Sequence, residues 1–439
     1  MVPEIGRGAG SGVAMRLEDV DLMDLDAFVR GEHHEMFKVL REQAPVSFHP
    51  EPDGPGFWAI TKHADLQMVN RDTATFSSEL GGTQRFDVAS VDPEFDTRGI
   101  MLVDTDPPKH TRLRRLVNKG FTPRMIGLLE QHLRYRAELI VDAVIEKGEC
   151  EFVEDLAAEL PLQAIADIMG VPQEDRHLMF TWSNAMIGAQ DAEYSDDPDA
   201  RGGENSRARE AAMEVYAYAN KLGAARREDP RDDIVTTLIN AEIEGERLSE
   251  LDFDMFMLLL TVAGNETTRN ATAHGMHALL THPDEFARLK AHHGDREYFS
   301  RAADEILRWA TPVLHFRRTA TVDTEVRGVS IKANDKVLMW HISANRDEEV
   351  FEDPFRFDVE RTPNDHVAFG GGGAHYCLGA NLAKLELEII FDEILERMPD
   401  MELAGEAQVL RSNFIGGIKH MPVRFTPGPR KHPEGAAIP

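Results

Sequence analysis

Residues Ala368 to Ala383 read AFGGGGAHYCLGANLA. Four consecutive glycines, Gly370 to Gly373, run up to Cys377, and an amphipathic helix pattern, ANLAKLELEIIFDEILERM, follows at once. The whole chain of 439 residues holds two cysteines. Glycine enters positive φ without steric cost and lets the backbone approach a neighbour closely, but each one loses extra entropy on folding. Four in a row therefore imply a geometric need. The plainest reading is a long turn before a helix, with Cys377 as a small buried hydrophobe. A phosphate-binding loop of the Walker form requires a Lys-Ser or Lys-Thr pair after the glycines, and none follows. A nucleophilic thiol would pair with a nearby base such as His375. The fourth reading is a metal thiolate. One cysteine cannot build a cysteine-rich zinc or iron–sulfur site, but it can be the single protein ligand of haem iron.

Working outward, the loop sits in an acidic chain. Lys and Arg number 48 against 77 Asp and Glu, a formal charge of −29. Such a surface repels nucleic-acid phosphate and anionic membranes. Two cysteines make no disulfide framework, so a reducing, cytoplasmic location is expected. No stretch of 18 uncharged apolar residues signals a membrane anchor, and the first residues lack a signal-peptide core.

Periodicity reads as helical from Leu17 to about Ala44 and from Thr111 to about Leu280, with breaks near Gly148, Gly170 and Pro230. VSFH and GFWAIT around EPDGPG read as a hairpin, and TEVRGVSIKANDKVLMW as two strands around a turn. Residues 76–108 are Gly- and Asp-rich without period. The expected fold is mainly α with small β-sheets, in one domain over 16–428. Residues 1–15 are expected to be a disordered N-terminus and 429–439 a mobile tail.

Three further stretches carry candidate chemistry. In DEILRW, Glu305 and Arg308 share a helix face at i and i+3; a surface ion pair worth little is the plain alternative. In LLLTVAGNETTRNATAHG an apolar run breaks at Ala263 and Gly264 and then offers Glu266, Thr267 and Thr268. A Gly inside a helix costs about 1 kcal/mol relative to Ala, so a packing or ligand reason is expected. From Lys109 to Arg124 the chain carries six basic residues and no acid. A solvated helix face is the ordinary explanation of such a run.

The order and spacing of these stretches, with the loop pattern Phe369, Gly373, His375, Cys377, Gly379, resemble the cytochromes P-450, the haem-thiolate monooxygenases. The cysteine loop is one residue longer than the family's common form, since Phe369 lies eight residues before Cys377. The resemblance implies a triangular-prism fold with haem b between the central helix and the helix of the cysteine loop. It implies Cys377 as iron ligand and Ala263, His110, Arg114, Arg318 and His375 as further haem contacts, the last four at the propionates. It implies a proton-relay pair, Glu266 and Thr267, beside Gly264 in an oxygen-binding groove. Glu305, Arg308 and Arg361 match the family's buried structural network.

The surroundings of these motifs resemble a bacterial branch that hydroxylates terminal methyl groups of branched lipids, isoprenoids and steroid side chains. Leu259, Val262, Ala263, Val313, Leu314 and Phe414 are the expected pocket lining, closed by residues 76–103. Electrons are expected from NAD(P)H through a ferredoxin reductase and a ferredoxin docking on Arg112, Arg115 and Lys119. A monomer is expected. A peroxygenase and a non-catalytic haem protein are the alternatives; the acid–alcohol pair argues against the first.

Overall fold

The computed structural model describes residues 15–51, 54–86, 96–118, 121–197, 199, 206–243 and 246–436. Lys119 and most of the expected disordered N-terminus lie outside them. After a short helix at Leu25–Val29 come α1 (His33–Gln43) and α2 (His63–Arg71), then α3 (Lys109–Asn118), α4 (Pro123–Asp142), α5 (Glu159–Met169), α6 (Arg176–Ile187), α7 (Ser206–Glu228), α8 (Glu250–Thr281), α9 (Arg296–Ala310) and α10 (Ala380–Arg397).

The main sheet uses β1 (Val46–His49), β2 (Phe57–Ile60), β3 (Phe76–Ser77), β4 (His315–Ala320) and β5 (Lys336–Trp340), in the order β1-β2-β5-β4-β3. β1 and β2 form the expected hairpin, Val46 opposite Ile60. β5 runs parallel to β2 and antiparallel to β4. The segment expected as two strands makes three: Thr324–Val326 and Val329–Ile331 pair with each other, and Lys336–Trp340 joins the main sheet. Asn334, at φ 72, turns the chain between them. Similarly, Gly170 at φ 83 ends α5 with its N–H bonded to the Ala166 and Asp167 carbonyls, the left-handed stop that glycine permits.

α8 is 32 residues long. Ser249 caps its start, accepting from the Asp252 N–H while the Asp252 side chain accepts from the Ser249 N–H, a reciprocal capping box. The helix is apolar on most faces and touches α5, α6, α7, α9 and α10, as a helix buried all round must. One continuous core joins α4, α5, α8, α9 and α10 through Leu133, Ile165, Leu258, Ile306 and Ile390. A second, around Phe37, Phe57 and Trp340, lies under the N-terminal helices. Near the end of the described residues the chain makes ion pairs back to α4 and α10. Lys431 pairs with Glu393 and Glu396, and His432 with Glu138. Among the described residues no helix is long and apolar enough to cross a membrane.

Candidate active site

The cysteine loop stands on a buried ionic platform. Glu305 and Arg308 on α9 are both fully buried and pair through two bonds of 2.7 and 2.8 Å. Arg361 donates to the same carboxylate at 3.1 Å, as does Asn364 at 3.2 Å. Arg308 and Arg361 also hold the carbonyls of Asn345, Glu352, Asp353, Pro354 and Arg356. A buried pair is costly to desolvate and valuable mainly when every remaining polar atom is used. Here the surplus donors pin the meander that leads into the loop, and Asn345 accepts from the Val367 N–H at its start.

The glycines divide their work. Gly370, Gly372 and Gly373 have φ of 93°, 88° and 82°, where side chains are strained. Gly371 does not, but a β-carbon there would lie 2.9 Å from the Gln67 α-carbon of α2. The loop thus folds flat against α2, where Asn70 and Arg71 donate to the carbonyls of Gly372 and Gly371. The Cys377 N–H closes the loop on the Phe369 carbonyl at 2.9 Å.

Cys377 is exposed by surface area, yet burial pushes its thiol upward from the ordinary value. Both hold for a sulfur on the wall of a recess, reached by solvent but ringed by protein. Opposing that cost, the N–H groups of Gly379 and Ala380, at the start of α10, and the charge of Arg114 favour the thiolate. A thiolate at a helix N-terminus beside an arginine is the arrangement that a metal ligand uses.

Arg114 on α3 donates to the Ala374 and Tyr376 carbonyls of the loop at 3.3 and 2.6 Å. Its neighbour one turn earlier, His110, packs against His375 with ring centroids 4.2 Å apart and the rings tilted by 43°. Arg318, from β4, reaches Asn70 at 2.7 Å and is held near both imidazoles. The four groups expected at the propionates are thus gathered in one place. Burial lowers His110 to about 4, His375 to about 2 and Arg318 to about 10, the neighbouring arginines adding to the fall at both histidines. His110 Nδ1 and Arg318 Nε have no partner. Buried donors and acceptors are nearly always satisfied, so these two atoms lack a partner, although Asp104 and Asp106 lie close enough to act on Arg318. Carboxylates of a haem fit that deficit, and the thiol fits the iron.

On α8, Ala263 is exposed and Val262, Gly264 and Thr267 are half-buried, with Leu260, Thr261, Asn265, Glu266 and Thr268 buried around them. Ala263 and Thr267 are i and i+4 and share a face, and the Thr267 hydroxyl donates to the Ala263 carbonyl at 3.1 Å. An open strip in the middle of a core helix marks a cleft. Gly264 turns elsewhere: a β-carbon would sit 2.5 Å from Ile165, so its smallness serves the approach of α5. Glu266 is 1% exposed. Ser183 of α6 donates to it at 2.9 Å and Arg269 at 2.5 Å, while Arg269 also reaches Asn184. The acid therefore lies in a polar lock between α6 and α8, one residue round from the open strip.

Of the expected lining, Leu259 and Val262 are half-buried on α8, and Val313 bridges to Ile415 beside Phe414. Leu314 is different. It is buried in the N-terminal core with Phe28, Trp340 and Ile342, because alternation along the chain entering β4 sends it to the opposite face from Val313. Sequence reasoning also missed Ser183, Asn184 and Asn70, whose partners are far away in the chain. It missed Glu386 on α10, 2% exposed, which accepts from Thr268 and whose carboxyl burial pushes up to about 8.

A fold of this kind, with a cysteine at the start of α10 and two arginines and two imidazoles gathered beside its loop, fits a haem-thiolate protein. The family model for Cytochrome P450 matches residues 60–399, and the chain belongs to that family; it is a cytochrome P450 monooxygenase. It is 44% identical to a steroid C26-monooxygenase of Rhodococcus jostii, over 93% of this chain and 85% of that protein. It is 40% identical to a methyl-branched lipid omega-hydroxylase of Mycobacterium bovis, over 94% and 95%. A Mycobacterium marinum cytochrome P450 solved in complex with pseudoionone superposes with a TM-score of 0.84 at 38% identity, covering 90% of this chain and 95% of that one.

Proposed function

We propose that the protein hydroxylates a terminal methyl group of a branched lipid, isoprenoid or steroid side chain. The balance is substrate, dioxygen, NAD(P)H and a proton giving alcohol, water and NAD(P)+. Steroid C26 and omega both name chain-terminal carbons, and this agreement between relatives named for different lipids supports the position of attack. Bound haem would supply dioxygen activation. Cys377 would hold its iron, with the Gly379 and Ala380 N–H groups limiting how much charge the sulfur donates. His110, Arg114, Arg318 and His375 would hold the propionates.

Ala263 and Thr267 would form the wall facing the haem, and apolar residues such as Leu259 and Val262 would exclude water from the substrate side. Thr267 would hand a proton into the cleft, and Glu266 would resupply it after leaving Arg269 or Ser183. General acid–base assistance of this kind contributes about 10²–10⁴-fold.

Electrons would arrive from a ferredoxin in the cytoplasm, through the basic face of α3. Arg115 is exposed there and Arg112 half-buried, beside Arg114, which grips the cysteine loop; Lys119 belongs to the same sequence run. The observation that carries the reading is the thiol at the start of α10 beside Arg114, with His110 Nδ1 and Arg318 Nε left without a partner nearby. The test has two parts. The reduced, carbon-monoxide-bound spectrum should show the red-shifted thiolate band, and Cys377→Ala should remove it. Branched lipids should shift the haem spin state and emerge oxidised at a terminal methyl; no shift with any of them would refute the substrate class.

A further inference from the structure

Asp104 is a buried carboxylate outside the site described, 2% exposed at the end of a turn that carries four apolar residues in a row, Ile100 to Val103. Its two oxygens are used separately. Thr83 donates to Oδ1 at 2.6 Å and Thr97 to Oδ2 at 2.5 Å. Its backbone closes the same turn: the Asp104 carbonyl accepts from the Gly99 N–H at 2.7 Å, and the Asp104 N–H donates to the Met101 carbonyl. Lys109 adds a bond to the Gly99 carbonyl. Thr83 is itself anchored, since the preceding Gly82 carbonyl accepts from the Arg317 N–H of β4. The turn 97–104 is therefore fastened to the main sheet through one side chain. Arg317 and Arg318 offset part of the cost of burying its charge.

The turn carries Ile100, Met101, Leu102 and Val103, which lie on the main core, and it touches α8, the helix of the open strip. We propose that Asp104 is a positioning residue: by holding Thr83 and Thr97 on its two oxygens it sets this apolar turn against α8 and so governs how tightly an apolar substrate is held. This rests on the reading of the cleft as a pocket for branched lipids.

The test uses the holoenzyme and the double variant Thr83→Val/Thr97→Val, which removes both donors and leaves the carboxylate. Titration with 15-methylhexadecanoic acid should show a dissociation constant weaker by about tenfold. Imidazole binding to the iron should hold within about twofold. Thr83→Ser/Thr97→Ser should restore affinity. Amide exchange at Gly99 and Met101 should rise by about tenfold in the valine variant whether or not a lipid binds. Unchanged lipid affinity, an equal loss for lipid and imidazole, or unchanged exchange would overturn the proposal. A wild-type enzyme silent to every branched lipid but with the exchange difference intact would sink the substrate class and leave the anchoring role standing.

Discussion

At Cys377 two forces oppose each other. Burial disfavours the thiolate, and the two N–H groups and Arg114 favour it, with burial the larger. A metal ion would decide the balance, so the residue is built as a ligand and not as a free nucleophile. Glu266 and Thr267 are adjacent yet placed differently, one locked and one on the open strip. Glu266→Gln keeps the shape and removes the transferable proton. It should lower product formation by about 10- to 100-fold while hydrogen peroxide released per NAD(P)H rises; equal product per electron in wild type and variant would remove Glu266 from the relay. Glu386 gives a second prediction. Its folded carboxyl sits near 8, above the unfolded value, so the folded state binds the extra proton. The stabilisation is complete below about 4.5 and is lost as pH rises through about 8. Glu386→Gln should flatten the fall in thermal stability across that window, by a few kcal/mol at most, because a tenfold change in proton affinity is worth about 1.4 kcal/mol. A parallel fall in both proteins would show that Glu386 does not titrate there.

At the scale of elements, the glycine loop shows what sequence can and cannot say. A run of glycines announces unusual backbone, and three of the four do have positive φ. The fourth is needed only because α2 lies against it, a contact across some 300 positions of chain. Gly371→Ala should therefore cost about 1–3 kcal/mol as an overpacked contact, read as a lower unfolding midpoint. Gly127→Ala on α4, with nothing within 4 Å, should gain about 0.5–1 kcal/mol. Opposite signs are the expectation; a loss at both would mean that helix propensity does not govern Gly127. Local periodicity likewise made the hairpin and the long helices legible, and motif order made Cys377 and Glu305 legible. Leu314 and Ser183 were not. The first depends on which face of a strand entry is buried, the second on how α6 crosses α8, and neither is written in neighbouring residues.

Over the whole molecule the charge of −29 poses a problem for any acidic electron donor. An acidic donor such as the proposed ferredoxin would be repelled at long range, so productive encounter would depend on a local reversal of sign. α3 supplies one, and its placement matters more than its charge alone. Arg114 is spent on the cysteine loop, whereas Arg115 points outward and Arg124 is exposed at the start of α4. Tyr376, next to the thiolate, is 45% exposed, so a donor seated on this face would be close to Cys377. Arg115→Glu should lower the rate of reduction by ferredoxin at limiting concentration by about tenfold at low salt, the range over which steering acts. The difference should shrink as salt approaches 1 M, where the screening length is about 3 Å. Reduction by dithionite, a small chemical donor that needs no docking face, should be unchanged. A deficit equal with both donors would mean that the substitution damages the site beneath the loop, and one that persists at high salt would mean that Arg115 makes a contact and does not steer.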